Sequence, residues 1–272
     1  MSFGYSDRTT GADAFLVGDA TLRLDFSGLT SGSDSGLPLG LEIGLYGRAD
    51  ALDTPHETYG ALTWDLPGGG RFLAGVPRPA YDSFAVSAIE RHFPALGVDR
   101  ATLTRSEATS GAMFANYLPF GARFQNEAAG LRYATSVHRA DNVDRTIASF
   151  GLARDMGNWT IEGAIEASFG ASTEIGGKMQ LHGTLGSVSG GIGYYAPGAV
   201  AGPDLFEAFA SFDPIARLTL SGVVQLPVNS ASNPTLGVSA RYAARDDLGI
   251  VLGVVSDAGA DTAVSAFLDW TF

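Results

Sequence analysis

For most of its length the chain alternates large apolar residues with small or polar ones for about ten positions, then breaks at a cluster of Gly, Pro, Asn or Asp. In Ala20-Thr21-Leu22-Arg23-Leu24-Asp25-Phe26 the apolar set is Leu22, Leu24 and Phe26, while Thr21, Arg23 and Asp25 take the other positions. A period of two places these sets on opposite faces of a strand. Leu39, Leu41, Ile43 and Leu45 alternate in the same way with Glu42, Tyr46 and Arg48, and Leu62, Trp64 and Leu66 follow. In the second half Trp159, Ile161, Ile165 and Phe169 alternate with Thr160, Glu162 and Glu166, and Met179, Leu181 and Leu185 with Lys178, Gln180 and His182. The pattern continues through Leu218, Leu220, Val224 and Leu226 and through Leu248, Ile250, Leu252 and Val254 to Val264, Leu268, Trp270 and Phe272. About fifteen such segments can be counted from Ser2-Phe3-Gly4-Tyr5 onward, which is more than half the chain. Ordinary globular proteins have about 20–25% strand.

So many consecutive hairpin-linked strands with no helix exceed the range of open sheets, and closing the sheet removes its edges. The polar faces are rich in Gly, Ser and Thr rather than Lys and Glu, which suits the inside of a barrel better than the outside of a soluble sandwich. The pattern therefore predicts an all-β fold: a closed antiparallel transmembrane barrel of about fourteen to sixteen strands, forming a single domain over 1–272. Leu22, Leu24, Leu41, Ile43, Leu220, Val238, Ile250 and Trp270 would contact lipid. The connections at Pro67-Gly68-Gly69-Gly70, Asp155-Met156-Gly157-Asn158 and Arg245-Asp246-Asp247 read as tight turns, while Thr30 to Gly36 and Val137 to Arg145 read as longer outer loops. From about Ala85 to Gln125 no alternation is evident. This stretch contains Phe93, Leu96, Phe114, Tyr117, Leu118 and Phe120, which need a place to be buried, so it is expected to fold back into the barrel.

Composition narrows the chemistry. Only 17% of residues are charged although 45% are hydrophobic, whereas soluble domains carry about 25% charged residues. No apolar run approaches the roughly 20 residues of a spanning helix, so any membrane crossing must be made by strands. Lys+Arg 17 against Asp+Glu 29 excludes a phosphate-neutralising nucleic-acid partner. With Cys 0, disulfides, thiol catalysis and Cys-ligated zinc are excluded together. Met1 precedes strand-like residues directly, and the chain is read as the mature form of a secreted precursor whose signal peptide has been removed.

Catalysis finds little support. His56, His92, His138 and His182 are the only histidines, His182 on an inward strand face and His56 and His138 in expected turns or loops. No nucleophile-elbow, zinc-protease or phosphate-loop motif occurs. Glu162 and Glu166 share a strand face but lie about 13 Å apart along it, too far for most acid/base pairs. No cofactor and no metal site is expected, with weak Ca²⁺ binding by Asp246-Asp247 or Asp257 left open.

Three stretches resemble the general diffusion porins, most closely the short Rhodobacter-type porins of alphaproteobacterial outer membranes. Gly70-Arg71-Phe72-Leu73-Ala74-Gly75-Val76-Pro77-Arg78-Pro79-Ala80-Tyr81-Asp82-Ser83 looks like a fifth strand running into a constriction loop, at about 85–125. Leu37-Pro38-Leu39-Gly40-Leu41-Glu42-Ile43-Gly44 with Thr58-Tyr59-Gly60-Ala61-Leu62-Thr63-Trp64 looks like the hairpin before it. The end, with Leu268, Trp270 and Phe272 at alternate positions, is similar to the signal read by the outer-membrane assembly machinery. The resemblance implies sixteen strands, an outer-membrane homotrimer embedded in lipid, and passive diffusion of small hydrophilic solutes and ions. Against fifteen counted segments, the missing strand would lie near Ala134 to Asp144, unless the first strand is truncated or the barrel has fourteen. A barrel enzyme and an autotransporter-type barrel are the alternatives.

A pore of this kind sets acidic residues on the inward loop against basic residues on the wall, ordering water by a transverse field. The acidic candidates are Asp82, Glu90, Asp99 and Glu107; the basic ones are Arg23, Arg48, Arg132, Lys178 and Arg241.

Overall fold

A computed structural model describes residues 2–7, 14–26, 39–50, 54–198, 202–231, 233–256 and 262–270. Thr30 to Gly36, Leu37-Pro38, Asp257 and the terminal Phe272 therefore lie outside the described residues. Sixteen strands follow one another: β1 (Ser2–Asp7), β2 (Ala14–Asp25), β3 (Leu39–Asp50), β4 (His56–Asp65), β5 (Arg71–Val76), β6 (Pro119–Ala128), β7 (Leu131–Ala140) and β8 (Arg145–Met156). The second half adds β9 (Trp159–Phe169), β10 (Thr173–Leu185), β11 (Val188–Ala196), β12 (Asp204–Ile215), β13 (Leu218–Val228), β14 (Thr235–Arg245), β15 (Leu248–Ser256) and β16 (Thr262–Trp270). Each pairs antiparallel with the next, and β1 pairs with both β2 and β16, so the sheet closes on itself.

The strand absent from the sequence count is β6, not a segment near Ala134 to Asp144. Its outward series of Phe120, Ala122, Phe124 and Asn126 loses hydrophobicity along the strand, and its start abuts a non-repeating stretch. The long connection accordingly spans 77–118 rather than 85–125. Val137 to Arg145 is not an outer loop: Val137 to Ala140 belong to β7, and a 3₁₀ turn at Asp141–Val143 leads directly into β8. His138 is a buried, inward β7 residue rather than a loop histidine.

The outer face carries the apolar half of the alternation. Leu22, Leu62, Ile175, Met179, Leu185, Val238 and Leu252 are each more than half exposed, and Trp64, Trp159, Tyr242 and Trp270 sit near strand ends on the same face. The inner face carries Glu57, Tyr59 and Thr63 on β4, Lys178 and Gln180 on β10, and Glu207 on β12, all buried. Gly47 does not offer a free outward surface, because a Cβ there would meet His56 and Pro55 of the same chain.

Two-residue turns at Ala129-Gly130, Gly157-Asn158, Gly186-Ser187, Ala216-Arg217 and Asp246-Asp247 share one rim. β2 ends and β3 begins on that rim too, with thirteen residues between them, so connection length alone does not sort the two rims. Ala129 and Gly130 both have positive φ, 52° and 71°, the backbone of a turn whose twist matches the flanking strands.

The connection from β5 to β6 is not structureless. After a 3₁₀ turn at Ala80–Ser83 it forms α1 (Ala88–His92), α2 (Pro94–Asp99), α3 (Ala101–Thr104) and α4 (Glu107–Phe114). Local sequence starts these helices. The Ser87 hydroxyl accepts from the Ile89 N–H at 3.2 Å, Pro94 takes the first turn of α2, and the Ser106 hydroxyl accepts from the Ala108 N–H at 3.1 Å. No helix of the described residues is long and apolar enough to cross a membrane.

Candidate functional site

The candidate site is the lumen together with segment 77–118, because the inward polar residues of the strands are used mainly to hold this segment. It is fixed first at the β7–β8 wall. The Ala80 N–H donates to Ser136 Oγ at 2.9 Å and the Tyr81 N–H to Ser149 Oγ at 3.3 Å. Arg123 donates to the Arg78 carbonyl at 3.0 Å and to Ser83 Oγ at 2.9 Å, and His138 Nε2 lies 2.9 Å from the Pro77 carbonyl. The Phe84 ring occupies the space over Gly151, where any Cβ would collide with it.

Two wall carboxylates then hold two helix starts by the same device. Glu207, fully buried, accepts from Ser87 Oγ at 2.6 Å and from the Ala88 N–H at 2.8 Å, with Gln225 Nε2 at 2.8 Å and Tyr195 Oη at 3.2 Å. Glu166 accepts from Ser106 Oγ at 2.6 Å and from the Glu107 N–H at 2.7 Å. In each case the capping serine donates its hydroxyl hydrogen bond to the wall while its oxygen still accepts from the helix. The carboxylate also faces the partly positive end of the helix, where negative charge is favoured. Hydrogen bonds to a charged acceptor are the strong ones, about twice a neutral pair.

Between the clamps Phe93 sits over two wall glycines, within 2.5 Å of a Cβ built on Gly237 and 2.7 Å of one built on Gly253. Ala88, Ile89, Phe93 and Leu96 pack with Val223, Val255 and Ala263, and Ala95, Val98, Ala101 and Met113 pack with Val17, Tyr46, Val251 and Phe267.

The sequence-predicted charges are brought together only in part. Arg48 and Asp99 form an ion pair from wall to segment, in the predicted sense. Glu107 pairs instead with Arg145 on β8, at 3.2 Å. Glu90 is taken up by Arg105 of its own segment. Asp82 is buried inside the segment, accepting from the Ser106 N–H at 2.7 Å and from the Thr109 hydroxyl. Lys178 faces the segment, donating to the Thr104 carbonyl at 2.8 Å beside the Tyr81 ring. Arg23, Arg132 and Arg241 do not reach it through an ion pair. They pair along the wall with Glu42 at 2.7 Å, Asp155 at 4.0 Å and Asp269 at 3.3 Å.

Sequence reasoning missed two further segment arginines, Arg78 set against wall acids and Arg105 set between acids of its own segment. Arg78 binds Asp19 at 2.6 Å, lies 4.0 Å from Glu57 and stacks 4.8 Å from the Tyr59 ring centre. Arg105 lies 3.9 Å from the Tyr46 ring centre and from Asp82. Burial alone would lower the affinity of Arg105 for its proton, but Glu90, Tyr46 and Asp82 raise it well above the ordinary value. At the end of α1, burial and then the neighbouring Arg91 push His92 down to about 4, so it is neutral at pH 7.

Two cavities flank the segment on the tight-turn side. One, of about 220 Å³, is lined by Asp19, Tyr46, Glu90, His92, Arg241 and Asp269 among others. The second, of about 300 Å³, is bordered by Arg71, Ser83, Phe84, Arg123, Asn126 and Arg132. Toward the other rim, a pocket of about 20 Å³ lies between Thr102, Glu107, Glu166 and Glu174.

A closed barrel of sixteen antiparallel strands with the β5–β6 connection folded inside defines a porin-type architecture. The same fold is found in solved variants of the porin of Rhodopseudomonas blastica. One engineered variant matches with a TM-score of 0.74 at 15% identity, and a triple mutant with 0.71 at 14%; both alignments cover 100% of this chain and 97% of theirs. A structure described as "Asymmetric conductivity of engineered proteins" matches over the same shares at 0.71 and 14%. No protein-family model matches the chain, and no curated protein does.

Proposed function

We propose that this chain is an outer-membrane porin, one barrel domain over 1–272, whose lumen serves the passive movement of small hydrophilic solutes and ions and performs no covalent chemistry. The observation that carries the reading is the division of the wall. An outward surface with Leu62, Ile175, Leu185 and Val238 exposed all around a closed sheet far exceeds the apolar patch of a few hundred Å² that soluble monomers tolerate. The inward surface carries the buried polar residues together with an apolar patch under one segment, and most strands have the nine to thirteen residues that a tilted membrane strand needs. The shared fold with the blastica porin supports the same reading, and the conductivity in a neighbour's description fits it.

In this reading the barrel works as a homotrimer and is delivered to the membrane by the outer-membrane assembly machinery. Leu268 and Trp270, exposed on β16, form the described part of its terminal signal. Asp82, Glu90, Asp99 and Glu107 together with Arg48 and Lys178 set the field of the constriction, while Arg23, Arg132 and Arg241 line its approaches. The test is ion conductance across a planar bilayer and sugar flux into liposomes. It uses the folded chain beside a form lacking residues 88 to 104, with folding verified by heat-modifiable gel migration. Conductance from at least one of the two is expected; a folded barrel with neither conductance nor flux in both forms contradicts the porin reading.

A further inference from the structure

Most of the outer face is apolar, but one place on it leaves charge unanswered. Among the described residues, Arg139, Arg154 and Arg245 are the arginines on outward strand positions. Arg139, near the opposite rim, is held by Asp141 and Asp144. Arg245, at the tight-turn rim, pairs with Asp247 at 3.1 Å, and the same carboxylate accepts from Trp270 Nε1 at 3.3 Å. Arg154 and Trp159 bring the same two donors together across β8 and β9, since Arg154 stands opposite Ile161, the next outward residue after Trp159. Here the acid is missing. Asp155 faces the lumen, accepting from the Thr160 hydroxyl at 2.8 Å and lying 4.0 Å from Arg132. The outward neighbours of Arg154 are Leu131, Leu152, Met156 and Ile161, and neither its guanidinium nor the Trp159 Nε1–H has a protein partner among the described residues.

Beside Trp159 the outer wall is hollowed into an apolar groove of about 470 Å³, walled by Leu181 and Ile192. Its floor is a register row across four strands, Trp159, Gly183, Gly190 and Ala210. The row has a direction. Trp159 follows its tight turn directly, Gly183 and Gly190 stand three positions from theirs, and Ala210 stands six from Ala216. The groove therefore begins at the rim, beside the two free donors, and leads toward the middle of the wall. Arg154 lies three positions from Gly157, within reach of the rim for a long side chain.

An external anion that carries a long apolar chain answers both features. We propose that the outer face at β8–β11 binds one anionic phospholipid from the leaflet on the tight-turn side. Its phosphate sits on Arg154, its glycerol esters accept from Trp159 Nε1–H, and one acyl chain lies along Gly183, Gly190 and Ala210. The proposal rests on the membrane reading of the barrel and adds a defined lipid site to it. An arginine on a lipid-facing wall is costly at mid-depth, whereas near the interface it attracts anionic headgroups.

The experiment places the full chain in phosphatidylcholine liposomes in a Trp64→Phe/Trp270→Phe background, which leaves Trp159 as the sole tryptophan of the 3. Its emission is titrated with acyl-brominated phosphatidylglycerol and, separately, acyl-brominated phosphatidylcholine. Phosphatidylglycerol should be preferred about fivefold, equivalent to about 1 kcal/mol. Arg154→Gln should bring the two lipids to parity, Arg245→Gln should leave the preference unchanged, and Ala210→Leu, which fills the groove, should weaken quenching by both. Parity with Arg154 in place, a preference that survives Arg154→Gln, or quenching indifferent to Ala210→Leu overturns the site and leaves the porin reading intact. Shielding of Trp159 from both lipids that is relieved on lowering the protein density puts a second copy in the groove and overturns the lipid assignment. Shielding at every density, in a barrel whose folding is verified by gel migration, overturns the membrane reading itself.

Discussion

The two faces of the same strands are built on different rules. Outside, Leu22, Leu62, Ile175 and Leu252 share only apolarity and exposure, and any similar side chain would serve there. Inside, each residue answers a particular group: Glu207 the hydroxyl of Ser87, Glu166 that of Ser106, Gly237 and Gly253 the ring of Phe93, Gly151 the ring of Phe84. The outer face is specified by a pattern and the inner face by partners. Substitutions should therefore act by depth and polarity outside, and by identity inside.

The largest expected effect comes from removing the partners altogether. Deleting residues 88 to 104 should raise conductance by more than about tenfold, since a sixteen-stranded barrel without filling encloses an aqueous channel; an unchanged conductance in bilayer recordings would place the segment outside the solute path. Next is a charge on the outer face. Leu252→Arg, central on β15, should cost about 2–4 kcal/mol in urea unfolding from liposomes, whereas Ser239→Arg, which enters the 220 Å³ cavity, should cost far less and alter conductance instead. Equal losses at the two positions would break the distinction between the faces.

Smaller effects sharpen the inner half of the comparison. Gly253→Ala forces the Phe93 ring to shift and should lower stability by about 1–3 kcal/mol, while the outward Val254→Ala leaves the segment untouched. His92 supplies a pH test. The unfolded chain takes up a proton at His92 near pH 6.5, but burial and then Arg91 delay this in the folded protein until about 4. Between those values the unfolded chain binds more protons, so this contribution to stability falls as pH falls from 6.5 to 4. The difference in unfolding midpoint between wild type and His92→Gln, followed across that window, should show it; Asp19, Glu90 and Asp269 in the same cavity remain in both proteins and cancel. The smallest effect concerns the tight-turn rim. Ala129 holds a left-handed backbone at φ 52°, and Ala129→Gly should stabilise by about 1 kcal/mol, read from the unfolding midpoint.

The same division explains what could be read from the sequence. Outward residues repeat every second position, so most strands and their outward-facing apolar sets are visible without a structure. β6 was hidden because Phe120, Ala122, Phe124 and Asn126 fade from apolar to polar. Inner contacts leave almost no local trace, since Ser87 and Glu207 are 120 positions apart and Ser106 and Glu166 are 60. One signal was present: Ser87-Ala88-Ile89-Glu90 has the spacing of a helix-capping sequence, and it marks the start of α1 inside a stretch with no strand period. Of the loop acids, Asp99 meets a predicted wall base, whereas Glu90 and Asp82 are used within the segment because Arg105 lies between them. Composition shows that such charges exist, but the choice of partner is set by the path of the segment across the lumen.

The claim that these strands face lipid outside and water inside is tested most directly by single-cysteine labelling along β14, since the chain has Cys 0 and every introduced thiol is unique. In liposomes, a fluorophore attached at Leu236, Val238 or Tyr242 should be quenched by brominated lipid and spared by aqueous iodide. One attached at Ser239, Arg241 or Ala243 should show the reverse, giving a period of two along the strand. Uniform quenching by iodide at all six positions, or lipid quenching without alternation, would contradict a membrane barrel of this register.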